Sequence, residues 1–162
     1  MLLALALLSL PLGQTITVDD DGPADFLEIQ AAIDFASPGD VILVSPGGYS
    51  GFLLDKNVNI VGTSPGGYSS SPTDNPIVGG TFVVPVLDGV TGVTIKGIKF
   101  TQSLTIRNGS SGVRVDACSG FQVVVQDSND VLLSRCDFAE KFRPHTAGLY
   151  VHNSSVQLVE TS

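Results

Sequence analysis

Val93-Thr-Ile95, Val113-Arg-Val115, Val131-Leu-Leu133 and Val156-Gln-Leu158 are four copies of one short strand, apolar at its first and third positions. Their starts are 20, 18 and 25 residues apart. Between them runs a second series of the same form: Val84-Pro-Val86, Leu104-Thr-Ile106, Val123-Val-Val125 and Leu149-Tyr-Val151. Two residues past each of these stands Asp88, Asn108, Asp127 or Asn153. Period-two strands separated by polar turns and repeated at about 20 residues predict a β-solenoid. One coil cannot bury its apolar face alone, so stacked coils share a core and each strand pairs with its copy in the next coil.

The pattern continues upstream. Val41-Ile-Leu43 and Val58-Asn-Ile60 fit the first column, and Phe52-Leu-Leu54 fits the second, with Lys56 in the turn column. A third apolar column falls between these two, at Ile98 and Phe100, Cys118, and Cys136 and Phe138. Three strands per coil imply a roughly triangular section with coils about 4.8 Å apart. The segments Gly62–Gly80 and Ala139–Ala147 lengthen two coils, both between the first and second columns. They are therefore expected on one arc, which insertions of a repeat protein often mark as its binding face.

With its run Ile29-Gln-Ala-Ala-Ile33-Asp-Phe-Ala-Ser-Pro-Gly-Asp40-Val-Ile-Leu-Val-Ser-Pro-Gly-Gly-Tyr49, followed by Val58-Asn-Ile-Val-Gly62, the chain resembles the right-handed parallel β-helix proteins of the pectin lyase-like superfamily. These residues look like the N-terminal cap and first coils of such proteins, and the resemblance covers roughly residues 24 to 162. It implies an all-β, right-handed single-stranded parallel β-helix with one N-terminal capping helix. The superfamily holds lyases, hydrolases, esterases, epimerases, adhesins and phage tailspikes, so the resemblance implies a fold rather than one reaction.

Three regions are expected: 1–14, a secretory signal; 15–40, a strand and capping helix; and 41–162, the coils. The apolar run Met1–Leu12 is too short to span a bilayer and suits the core of an export signal, so the chain is read as secreted or surface-bound and not membrane-spanning. Asp25–Ala36 reads as the helix, with Asp25 and Glu28 as a capping box and Phe26, Ile29 and Ile33 on one face. The composition of Gly62–Gly80 predicts a surface loop without helix or strand. Val156-Gln-Leu158 opens a coil that no visible cap closes, so the chain is expected to be a truncated piece of a longer solenoid, open to self-association through that coil.

The net charge of −8 excludes a nucleic-acid partner, because no basic stripe exists to neutralise phosphates. No cofactor is evident. Asp19-Asp-Asp21 would suit Ca²⁺, but it lacks the glutamate and spacing of an EF-hand and reads as a solvated turn. No metal site is assigned. The Asn and Asp of the turn column read as a polar ladder, and Cys118 and Cys136 as two buried thiols. Tyr49 and Tyr68 offer rings to sugars, though turn packing is the favoured role for both.

No complete catalytic motif is present, and Asp116 and Asp137 point outward in different columns. If the chain is an enzyme, the resemblance implies a polysaccharide lyase or a glycoside hydrolase. The candidate site is the outward face of the second column, where Arg107, Gln126 and His152 stack beside Thr105, Val124 and Tyr150, with Lys141, Arg143 and His145 from the second insertion at its margin. Tyr150 offers a ring face, the arginines hold carboxylates, and either histidine moves a proton near neutral pH. The expected partner is a polysaccharide, bearing acidic groups. The alternative is a structural or adhesive spacer without a specific glycan.

Overall fold

The computed structural model describes residues 13–64, 75–79, 83–120, 122–138 and 148–161. Its elements begin with β1 (Thr15–Val18), α1 (Ile29–Phe35), β2 (Val41–Val44), β3 (Gly47–Tyr49), β4 (Leu53–Leu54) and β5 (Asn59–Gly62). Next come β6 (Pro76–Val78), β7 (Val86–Asp88), β8 (Thr94–Lys96), β9 (Lys99–Phe100) and β10 (Leu104–Arg107). The last five are β11 (Arg114–Asp116), β12 (Val123–Gln126), β13 (Val131–Ser134), β14 (Leu149–His152) and β15 (Val156–Val159).

Every strand pairing is parallel, and each strand pairs with its copy one coil away. Three sheets result: a seven-stranded one in the order β1-β2-β5-β8-β11-β13-β15, a five-stranded one, β14-β12-β10-β7-β4, and a three-stranded one, β3-β6-β9. The third sheet continues as single bridges from Lys99 to Ser119 and from Ser119 to Asp137. This is a parallel β-helix-like arrangement, and the three expected columns are its three sheets. The inward column of the seven-stranded sheet holds Ile42, Ile60, Ile95, Val115 and Leu133, all buried; Leu54, Leu87, Ile106 and Val125 do the same in the five-stranded sheet. Each such side chain contributes about 1.5–3 kcal/mol by leaving water.

Two expected registers are shifted by one residue. Leu87, not Val86, pairs with Ile106 and faces the core, while Val84 is exposed. Likewise Ile42 and Val44 point inward in place of Val41 and Leu43. Both segments are apolar at successive positions, so alternation does not choose a parity; packing against the neighbouring coil does. The expected loop Gly62–Gly80 is also corrected, because Pro76–Val78 pairs with β3 and β9 in the third sheet.

At four of the five corners after the five-stranded sheet, all but the one after β4, one residue takes a left-handed conformation: Gly89 (φ 64°), Asn108 (58°), Asp127 (47°) and Asn153 (46°). Asn and Asp tolerate this region better than other side chains. The ladder is partly as expected, with Asn153 Nδ2 donating to Asp127 Oδ1 at 2.8 Å. The shifted register puts Asp88 one place earlier, on the strand, where it still accepts from Asn108 Nδ2 at 2.7 Å.

The helix covers the N-terminal end, packing against β1 and β2 through Ile29, Ala32 and Ile33. It is shorter than Asp25–Ala36, and the capping box does not form. Asp25 instead spends its carboxylate on β1, accepting from the backbone N–H and hydroxyl of Thr17 at 2.8 and 2.7 Å. Phe26 is extended beside Val18 rather than helical. Lys56, in the turn column, donates to the carbonyls of Ile33, Asp34 and Ala36 and so satisfies the helix C-terminus.

Cys118 and Cys136 are free, buried thiols in adjacent coils. Burial pushes both thiols up from their ordinary range, which leaves them inert as nucleophiles. Among the described residues no helix is long and apolar enough to cross a membrane. The Met1–Leu12 run, proposed as an export signal, lies outside the described residues, as do Tyr68 and residues 139–147.

The register has a direct test. Leu87→Asp should abolish cooperative unfolding, because an unpaired buried carboxylate costs several kcal/mol against a total stability of about 5–15 kcal/mol. Val86→Asp, one residue away and facing out, should melt close to the parent by circular dichroism. The reverse order would restore the register read from sequence.

Candidate functional site

Alternation sends every second residue of the five-stranded sheet outward, and parallel in-register pairing stacks those residues in rows. One row runs Val86, Thr105, Val124, Tyr150. The other runs Asp88, Arg107, Gln126, His152, with Asp55 next to Asp88 because the preceding Leu54 pairs with Leu87. Four of the seven candidate residues, Arg107, Gln126, Tyr150 and His152, thus share one face. Lys141, Arg143 and His145 lie outside the described residues. The described residues on either side of that segment are Phe138 and Gly148, the latter two residues before Tyr150 in the sequence.

The two insertions do not flank this face together. Residues 65–74 fall between β5 and β6, where the seven-stranded sheet passes to the three-stranded one, whereas 139–147 fall between the third column and β14. Sequence spacing placed both between the first and second columns, but a third strand divides that interval into two corners.

Along the second row the charge changes sign. Asp55 and Asp88 stand at one end, followed by Arg107, Gln126 and His152. Arg107 is already engaged, donating from Nε at 3.0 Å and Nη2 at 2.9 Å to Asp88 Oδ2, while Asp88 Oδ1 accepts from Asn108. The hydrogen bond from Asn108, and then those and the charge of Arg107, hold the Asp88 carboxyl below its usual range. Asp88 was read as a turn residue in the sequence. Its place on this face is set by the one-residue register shift, for which the sequence carried no signal.

These facts bear on the chemistry this face can support. A hydrolytic acid pair needs one carboxyl held protonated near neutral pH, with its pKa raised. Asp88 is displaced the other way. At the opposite end Tyr150 is 49% exposed, and His152 is exposed beside the half-buried amide of Gln126. That end presents an aromatic face, an amide and an imidazole, which are recognition groups.

Other candidates are committed to structure. Tyr49 is buried and donates its hydroxyl to the Ser45 carbonyl at 2.9 Å; burial and the nearby Asp20 push it up to about 12, and no ring face is left for a sugar. Asp19 Oδ1 accepts from the N–H groups of Asp21 and Gly22, and Asp20 Oδ2 from that of Gly48, so these two carboxylates hold the local backbone, with an oxygen of the Asp21 carboxylate within 4.8 Å of theirs. Asp116 faces outward on the seven-stranded sheet between Lys96 and Ser134, where it accepts from Arg135 and from the Ser134 hydroxyl. Desolvation opposes its ionisation, but the hydrogen bonds from Arg135 and Ser134 and the charges of Arg135 and Lys96 outweigh it, so its carboxyl also lies low.

No protein-family model matches the chain, and no curated protein matches it. Among solved structures the chain is similar to a rhamnogalacturonan lyase, at 11% identity and a TM-score of 0.49, over 92% of this chain and 56% of that one. The chain thus spans little more than half the length of that enzyme, and a likeness of this degree supports no reading of activity.

Because Asp88 and Asp116 titrate below their unfolded values, their contribution to stability is present above about pH 4 and is lost as pH falls through the folded values. The melting temperature should therefore drop as the pH falls below about 4. Asp116→Asn should lower the melting temperature at neutral pH and flatten that acid limb. An equally steep limb in the variant would show that Asp116 is not one of the linked groups.

Proposed function

We propose that the chain is a right-handed parallel β-helix module, located outside the cytoplasm, that binds a polysaccharide along the outer face of its five-stranded sheet. The handedness follows the general rule for parallel crossovers. The observation that carries the proposal is the stacked outward row Arg107, Gln126, His152 beside exposed Tyr150. A sugar ring stacks on Tyr150, Gln126 and His152 bond its hydroxyls or carboxylate, and the coil spacing repeats such contacts along an extended chain. Lys141, Arg143 and His145 stand shortly before Tyr150 in the sequence, and this basic composition favours a saccharide bearing acidic groups, despite the net charge of −8. Binding rather than cleavage is the reading, since the carboxylates near this row are held ionised or lie exposed.

A spacer is the second reading. The pairs Asp88–Arg107 and Asp116–Arg135 each join one coil to the next, as rungs of a structural element would.

Retention on immobilised polyuronate and on a neutral glucan separates the two. The parent should be retained on the polyuronate, and a Gln126→Ala, Tyr150→Ala, His152→Ala variant should elute about tenfold earlier in affinity terms, roughly 1.4 kcal/mol. Absence of retention, or equal retention of the triple variant, would leave the spacer reading in place.

A further inference from the structure

We propose that the N-terminal cap carries a second, separate docking site, for a short extended peptide bearing cationic side chains. The site is a groove of about 350 Å³ between the first strand and the helix, lined by Gln14, Thr15, Ile16, Asp25, Phe26 and Phe35. It does not depend on the saccharide reading, because it shares no residue with the five-stranded sheet.

One wall of the groove is the outer edge of β1. The carbonyls of Gln14 and Val18 accept from the N–H groups of Val41, in β2, and Ser45, just after it, so by strand alternation Thr15 and Thr17 turn their N–H and C=O away from β2. Thr17 is satisfied on that outer side: its N–H donates to Asp25 Oδ2 and its carbonyl accepts from Phe26 N–H at 3.1 Å. The outward N–H and C=O of Thr15 have no partner among the described residues. An exposed donor and acceptor on a strand edge are what the main chain of an extended peptide matches.

Beside this edge the Phe26 and Phe35 rings lie 5.4 Å apart at 47°, and Phe35 is 65% exposed. Such a pair takes the aliphatic stem of a side chain, or a cation over the ring face. Asp25 contributes a carboxylate whose two bonds to Thr17 both fall on Oδ2, leaving Oδ1 for an incoming cation.

Charge selects the occupant. Residues 13–40 contain seven carboxylates and no Lys, Arg or His, while the remaining residues hold nine acidic against eight basic side chains. Nearly the whole net charge of −8 is therefore in the cap. Of the seven, Asp40 is buried and occupied by the N–H groups of Gln14 and Ser37, but Asp20, Asp21, Asp25, Glu28 and Asp34 are exposed. That field draws a cationic peptide toward the groove and repels an acidic one.

The test titrates fluorescently labelled peptides of alternating Lys and Val, or alternating Glu and Val, into the full chain and follows anisotropy. The Lys/Val peptide should bind and the Glu/Val peptide should not. Thr15→Pro deletes the outward N–H without touching the bonds to β2, and Phe35→Ala removes an exposed ring. Each should weaken binding about tenfold, or ~1.4 kcal/mol, with an unchanged melt. Should Thr15→Pro fail to fold, Phe35→Ala decides alone. The proposal is overturned if both peptides bind alike, if neither binds, or if Lys/Val binding survives the substitutions, which would be diffuse attraction to the carboxylates. Binding seen only after removal of residues 2–12 would also overturn it, by showing that the chain's own leading segment fills the groove.

Discussion

Among the described residues no strand is long enough to stand alone; the longest have four residues, and several have two or three. What holds each one is the parallel, in-register ladder to its copy in the coils on either side. Main-chain hydrogen bonds run along the stack, and the inward residue of every coil packs on the inward residue of the next. The constraint is strict, because a one-residue slip would exchange the buried and exposed faces of a whole strand. Each corner must therefore return the chain to the same register, and after β7, β10, β12 and β14 a residue with positive φ helps make that return.

The same ladder leaves an unpaired edge wherever the stack starts. Here the opening is handled in pieces. The helix lays Ile29, Ala32 and Ile33 over the end of the core, Phe26 pairs with half of the β1 edge, and the Asp25 carboxylate supplies an acceptor that a further strand would have provided. Thr15 is left over, lining one groove with two aromatic rings and within a concentration of carboxylates. Val151 and Leu158 continue the inward columns of Val125 and Leu133.

Outward residues are free of the core, so recognition chemistry can vary there without cost to the fold. Much of that freedom is already taken up. Asp88 with Arg107, and Asp116 with Arg135, Ser134 and Lys96, tie adjacent coils together, which removes the most ionic outward groups from ligand chemistry. The exposed ring of Tyr150, with Gln126 and His152, is the part of the five-stranded face that remains for a ligand.

By itself the sequence determined the coil period, the three columns, the buried cysteines, the Asn and Asp corners and the single helix near the N-terminus. All of these are written in local patterns: alternation, spacing and turn chemistry. It also placed Arg107, Gln126, Tyr150 and His152 on one face, because clean alternation in Leu104–Arg107 and Leu149–His152 leaves one parity open to each. Only the tertiary structure decided the parity of Val41–Val44 and Val84–Leu87, where successive apolar residues fit the core equally well until a neighbouring coil selects one set. It alone found a strand at Pro76–Val78, inside a stretch whose composition reads as loop, because β3 and β9 supply the hydrogen bonds that its own residues do not demand. It alone set Asp25 on Thr17 instead of on the helix, since a partner eight residues back along the chain competes with a cap only once β1 is in place. Local patterns specify what a residue can do; which partner it meets depends on the coil beside it.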